Sequence, residues 1–188
     1  MRQERIIFMG TPDISKVYMQ LLIDNKYNVI ATYTQPPRKQ DRGMKIKNSP
    51  VHTLALEKNI PVYTPKNFII SEIVDQFTKL NPDVVIVMGY GILLPKKLLK
   101  IPVHGFINIH LSLLPRWKGA APIEHTILNG DDKTGVSIFQ IEEKLDSGPI
   151  IASKTIDLDN KITKNNLIHQ LNRIGSQLII NILPDYLD

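Results

Sequence analysis

There is no cysteine anywhere in the 188 residues. That excludes disulfides, thiolate metal sites and a thiol nucleophile, and it fits the reducing cytoplasm, the location expected for this chain. No run of about 18 apolar residues occurs, so no membrane span and no membrane partner are expected. The opening "MRQERIIFMGT" lacks the charged, apolar and small-residue regions of a secretory signal and runs straight into a strand-like stretch. Internal repeats and low-complexity tracts are missing as well. "FMGTPDISKVYM" stands where a dinucleotide fingerprint would stand, yet it carries one glycine where close pyrophosphate approach needs three. "GYGILLP" is no phosphate cradle, because no Gly-Lys-Ser/Thr helix start follows it.

What is present begins with a 43% hydrophobic composition, sufficient for one full core but not for two. Net charge is +5, from 23 Lys+Arg against 18 Asp+Glu. "PPRKQDRGMKIK", residues 36–47, holds Arg38, Lys39, Arg42, Lys45 and Lys47 against Asp41 alone, so +4 of that excess sits in one segment and +1 in the rest. A concentrated basic stretch suits a phosphate-rich partner. A loop kept polar for solubility explains the charge equally well.

"RIIFMGT" reads as a buried strand and turn, followed by helical spacing at Ile14, Val17, Leu21 and Leu22. "YNVIATYT" is a second strand and the basic segment after it a loop. "SPVHTLALEKN" is a helix with a Ser N-cap and Pro in its first turn. "IPVYTP" reads as a short strand, "SEIVDQFTKLN" as a capped amphipathic helix, and "PDVVIVMGYG" and "FINIHLS" as buried strands. "APIEHTILNG" is a short helix, "TGVSIFQIE" and "PIIASKTIDL" are late strands, and residues 163–183 form a long C-terminal helix. Alternating strands and helices predict an α/β fold, Rossmann-like, with a mainly parallel twisted sheet and helices on both faces.

Asn108 and His110 lie two apart on "FINIHLS", so a strand projects them to one face and Ile107, Ile109 and Leu111 to the other. They approach a strand C-terminal end, where α/β sheets place their binding crevices. A lone His is more often a satisfied core residue. Paired with Asn at a strand end, it favours function. Asp146 in "EKLDSGPII" is a turn former or a third functional group. Together the trio suits acyl transfer without a covalent enzyme intermediate: His110 and Asn108 stabilise an oxyanion, and Asp146 holds His110 or takes an amine proton through water. Ser112 as nucleophile is disfavoured, because no G-x-S-x-G elbow surrounds it.

Asn108-x-His110, "SLLPRWKGAAPI" and the downstream "LDSG" resemble the formyltransferases that use 10-formyltetrahydrofolate, and most closely the branch acting on methionyl-tRNA. "FMGTP", "TQP", "SPV", "GYGILLP" and "NGDDKTGVSIFQIEEKLDSGPI" extend that resemblance along the chain. It implies that Asn108, His110 and Asp146 are catalytic. Folate contacts are implied for Ser112, Leu113, Leu114 and Pro115, for Met88, Gly89, Tyr90, Ile92 and Leu93, and for Gln140 and Glu142. It further implies that Arg38, Lys39, Arg42, Lys45 and Lys47 meet tRNA, with Arg42 in the place of the family's key arginine. "PPRKQDRGMKIKNSP" departs from the usual Asp-Arg-Pro-Ala-Gly opening of that loop.

The implied activity is formylation of the α-amine of initiator methionyl-tRNA, with 10-formyltetrahydrofolate as donor, no metal, and a monomeric enzyme. An amino-sugar nucleotide or another small phosphorylated amine is the alternative acceptor, and a binding module that has lost catalysis a third reading. Residues 1–188 are expected to be the catalytic domain. Family members continue into a small β-barrel that helps hold tRNA, and no such segment follows "ILPDYLD".

Overall fold

The computed structural model describes residues 3–40, 45–159 and 161–188. It divides into two compact units, Met1–Phe106 and Ile107–Asp188.

The first unit is built on β1 (Arg5–Gly10), whose Ile6, Ile7, Phe8 and Met9 are wholly buried. It pairs in parallel with β2 (Asn28–Tyr33) and with β6 (Val84–Met88). β5 (Val62–Tyr63) extends β2, again in parallel. Continuous apolar runs, with no alternation, are what a strand covered on both faces requires. Each large side chain buried this way contributes about 1.5–3 kcal/mol. Tyr33 anchors an aromatic cluster with Tyr63, Phe68 and Phe77.

Helix α1 (Asp13–Asp24) buries Ser15, Tyr18, Met19 and Leu22, not the face through Ile14, Val17 and Leu21; Val17 is 44% exposed. Tyr18, Met19 and Leu22 supply the apolar stripe, and Ser15 joins it by donating its hydroxyl to the Met88 carbonyl. Helix α2 (Pro50–Glu57) begins as expected, with the Ser49 hydroxyl accepting from the His52 amide and Pro50 in the first turn. The side-chain cap expected on α3 (Ser71–Lys79) is not made: Ile70 holds the N-cap, and the Ser71 hydroxyl donates to Glu72. A one-turn helix, α4 (Lys96–Leu99), follows β6.

The basic segment is not simply loop. β3 (Arg38–Gln40) and β4 (Lys45–Lys47) pair antiparallel, Arg38 opposite Lys47 and Lys39 opposite Ile46. Its described side chains, Arg38, Lys39, Ile46 and Lys47, are all exposed, so the sequence has no apolar alternation to betray it.

The second unit is antiparallel. β7 (Phe106–His110) pairs with β8 (Lys133–Gln140), and β8 with β9 (Ile150–Asp157). Gly135 and Gly148 sit where backbones nearly touch. A Cβ at Gly148 would lie 1.8 Å from the Gln140 carbonyl, and one at Gly135 2.1 Å from that of Lys154. Helix α5 (Pro122–Leu128) is linked by a Glu124–Lys164 ion pair to α6 (Lys164–Leu187), which also packs on β8 and β9. α6 runs past the expected end at residue 183, through Pro184.

Candidate active site

Asn108 and His110 share one face of β7, opposite Phe139 and Ser137 of β8. His110 is buried at 7% exposure, and its Nε2 lies 2.8 Å from the Trp117 carbonyl. A carbonyl only accepts, so Nε2 carries a proton, and Nδ1 is the ring nitrogen left open. Nδ1 faces the Oδ2 atom of Asp146 at 3.9 Å. That gap is too long for a direct hydrogen bond. The Trp117 backbone therefore holds the ring, and Asp146 does not, which narrows the two roles open to that carboxylate. Asp146 is itself pinned: the Gly119 amide donates to its Oδ2 at 2.6 Å. The Asn108 amide makes no hydrogen bond among the described residues.

The turn between β7 and α5 carries this geometry. Ser112 is fully buried, and its hydroxyl donates to the Arg116 carbonyl at 2.6 Å, so it is not available as a nucleophile. The Ser137 hydroxyl donates to the Ser112 carbonyl and accepts from the Leu114 amide, which fixes the start of the turn. Trp117, Gly119 and Ala121 all have positive φ, as does Asp146 at 44°. For Trp, Ala and Asp this left-handed backbone is strained, and it persists only where surrounding contacts determine it.

Those contacts were not legible in the sequence. The Asp131 carboxylate accepts from Arg116 Nε at 2.9 Å and Nη2 at 2.5 Å, from the Trp117 indole at 2.6 Å and from Asn129 at 2.6 Å. The Arg116 pair holds Asp131 far below the usual carboxylate range, helped by the indole and amide donors against the opposing pull of burial. The Trp117 ring is covered by the Arg116 guanidinium, 4.4 Å from its centre, and stacks on His125 at 5.2 Å. Asp131, Arg116 and Trp117 all stand within the motifs "NGDDKTGVSIFQIEEKLDSGPI" and "SLLPRWKGAAPI", but nothing in those motifs pairs them.

The remaining candidates lie as follows. Leu113 lines a hollow of about 440 Å³ with Arg116, Trp117 and Asp131. Leu114 is half-buried; Pro115, Gln140 and Glu142 are exposed. In the first unit, Met88 and Tyr90 are buried, and burial pushes the Tyr90 phenol up. The Tyr90 carbonyl accepts from Thr11 and Gln35, and Gly89 is exposed. Ile92 and Leu93 line a hollow of about 500 Å³ with Arg38, Gln35, Lys66 and Asn67. One cavity thus joins residues assigned separately to folate and to tRNA. Lys39 and Lys47 are exposed, and Lys45 lies on β4. Arg42 lies outside the described residues. Among the described residues no cluster of His, Asp and Glu is arranged to hold a metal, and no helix is long and apolar enough to cross a membrane.

The formyl transferase family profile matches residues 4–183. The chain belongs to that family. It is 46% identical over 96% of its length to the methionyl-tRNA formyltransferase of Wolbachia sp. subsp. Drosophila simulans, covering 60% of that protein. With the methionyl-tRNA formyltransferase of Bartonella henselae it shares 47% over 95%, covering 58%. The chain therefore spans about three fifths of the length of these relatives. Among solved structures, phosphoribosylglycinamide formyltransferase from Bacillus halodurans superposes with a TM-score of 0.79 at 25% identity, covering 98% of this chain and 93% of that one. Glycinamide ribonucleotide transformylase 1 from Geobacillus kaustophilus gives 0.81 at 22%, with full coverage of both chains. A formyltetrahydrofolate deformylase from Pseudomonas syringae pv. tomato gives 0.80 at 20%, covering 99% of this chain and 62% of that one. The fold of this formyl transferase is thus the expected α/β, Rossmann-like one with a mainly parallel sheet.

Proposed function

We propose that the chain moves a formyl group from 10-formyltetrahydrofolate to the α-amine of methionine esterified to initiator tRNA, acting as a cytoplasmic monomer whose residues 1–188 form the catalytic domain. One observation carries the chemistry. The Nδ1 edge of His110 faces Asp146 at 3.9 Å, with Nε2 committed elsewhere and the Asn108 amide unengaged among the described residues. The acceptor is read from the relatives: 46–47% identity to methionyl-tRNA formyltransferases, against 25% or less to enzymes named for a phosphoribosylglycinamide or glycinamide ribonucleotide acceptor.

The amine nitrogen attacks the formyl carbon, and the carbonyl π pair moves onto oxygen. His110 in its imidazolium form donates from Nδ1 to that oxyanion, and the Asn108 amide donates a second hydrogen bond. Asp146, 3.9 Å from Nδ1 of His110, accepts the proton lost by the amine through a water. The bond to N10 then breaks, N10 takes up the proton, and tetrahydrofolate leaves beside the formylated amine. In the second unit the Ser112–Leu114 turn, fixed by Ser137, is assigned to folate contact, and in the first unit Ile92 and Leu93 are. Arg38, Lys39, Arg42, Lys45 and Lys47 meet tRNA phosphates.

The fold likeness to enzymes named for a phosphoribosylglycinamide acceptor supports a second reading, transfer to a small phosphorylated amine. Incubating the chain with formyl-labelled donor and methionyl-tRNA, glycinamide ribonucleotide or an amino-sugar nucleotide separates the two. Label on the methionyl-tRNA is expected. Label on a small amine alone would replace the first reading with the second, and release of formate alone would exclude both.

A further inference from the structure

We propose that Asp131 is a positioning residue for His110, acting through the strained backbone of Trp117. The two side chains never touch. Asp131 binds the indole N–H at 2.6 Å, the Trp117 carbonyl receives Nε2 of His110 at 2.8 Å, and one residue joins those contacts. Trp117 has φ of 55°, a region that a bulky residue does not occupy without external support. Asp131 supplies that support from several sides. It holds the indole directly, and it holds the Arg116 guanidinium with both oxygens, laying it over the indole face. It also accepts from Asn129, at the end of α5. The Arg116 carbonyl in turn receives the buried Ser112 hydroxyl.

An ion pair with an exposed Arg contributes little to stability by itself. Its value here is directional. The peptide carbonyl of Trp117 holds the Nε2 proton of His110, and thereby leaves Nδ1 as the ring nitrogen open to take up a proton and donate it to the reacting oxygen. When Asp131 is neutralised, the indole and guanidinium lose their shared anchor, φ of Trp117 relaxes, and its carbonyl turns away from Nε2. The imidazole then samples both tautomers. Small displacements of a reacting group are costly, about 10²-fold in rate for 1 Å.

The test labels histidine with ¹⁵N and reads the ring nitrogens by NMR, the His110 signals being identified by their loss in His110→Gln. Wild type is expected to show the single Nε2–H tautomer. Asp131→Asn is expected to show a mixture, with kcat lowered roughly 10²-fold and the KM for the donor little changed. Trp117→Phe keeps the ring stack and the Arg116 pair while deleting one donor, and is expected to fall between. Asp131→Glu keeps the charge and recovers part of the loss. If Asp131→Asn does not fold, Trp117→Phe carries the test. A cooperatively folded variant with the wild-type tautomer and wild-type kcat overturns the proposal. Only the kinetic arm rests on the formyl-transfer reading. A tautomer shift in a protein that formylates no acceptor would sink that reading and leave the positioning role standing.

Discussion

The ribbon of β3 and β4 and the turn from Ser112 to Ala121 are both short connections, and they are built in opposite ways. The ribbon puts Lys39, Ile46 and Lys47 into solvent, and Ile46 is 71% exposed. The turn buries a serine and a histidine, binds Asp131, and holds two non-glycine residues in the left-handed region. The difference fits the roles proposed for each. Attraction of a polyanion depends on net charge and weakens slowly with distance, so it tolerates imprecise atoms. Stabilising one oxygen in a transition state depends on tenths of an ångström, so it needs a fixed frame.

That contrast yields graded expectations. His110→Ala strikes the fixed frame at its centre, and kcat for formyl transfer should fall on the order of 10²–10³-fold. Adding Asn108→Ala should cost less than the product of the single losses, because the two act as a unit; steady-state kinetics of the two single variants and the double variant decide this. Gly148→Ala strikes the frame from behind, since its new Cβ meets the Gln140 carbonyl two residues from Asp146. A loss of about 1–3 kcal/mol in denaturant unfolding is expected; unchanged stability would mean the loop yields freely and is no frame.

A smaller effect separates Asp131 from an ordinary surface carboxylate. Its folded-state pKa is depressed, so its contribution is complete above the unfolded value of about 3.9 and is lost as pH falls below it. The stability difference between wild type and Asp131→Asn should be flat from neutral pH down to about 5 and shrink on further acidification. Melting temperatures across that range measure it. Smallest of all, Lys39→Ala in the ribbon should leave kcat alone, weaken tRNA binding slightly and reduce the salt slope by about 1. A change in kcat there would dissolve the distinction between the two regions.

Much of this was legible in advance, for identifiable reasons. β1, β6 and β7 announced themselves because a strand buried on both faces needs an unbroken apolar run. Asn108 and His110 were found because a period of two places them side by side. Of the spaced residues of α1, Leu22 is buried and Val17 is exposed, because the inward face runs through Tyr18 and Met19, with Ser15 bonded to the Met88 carbonyl. The ribbon was hidden because its described side chains are all exposed. The Trp117 carbonyl was invisible in principle, since every residue carries the same backbone oxygen and only the fold decides where it points. Asp131 was passed over because a carboxylate after a helix looks the same whether it faces water or four donors.

The bond from Nε2 of His110 to the Trp117 carbonyl has one more consequence. In many sites a histidine relays a proton, taking it on one ring nitrogen and releasing it from the other. Here one end of the ring is closed by an oxygen that has no proton to exchange. The imidazole is a cul-de-sac: whatever arrives at Nδ1 departs from Nδ1. Any proton traffic through this ring therefore has a single mouth, and that mouth faces Asp146.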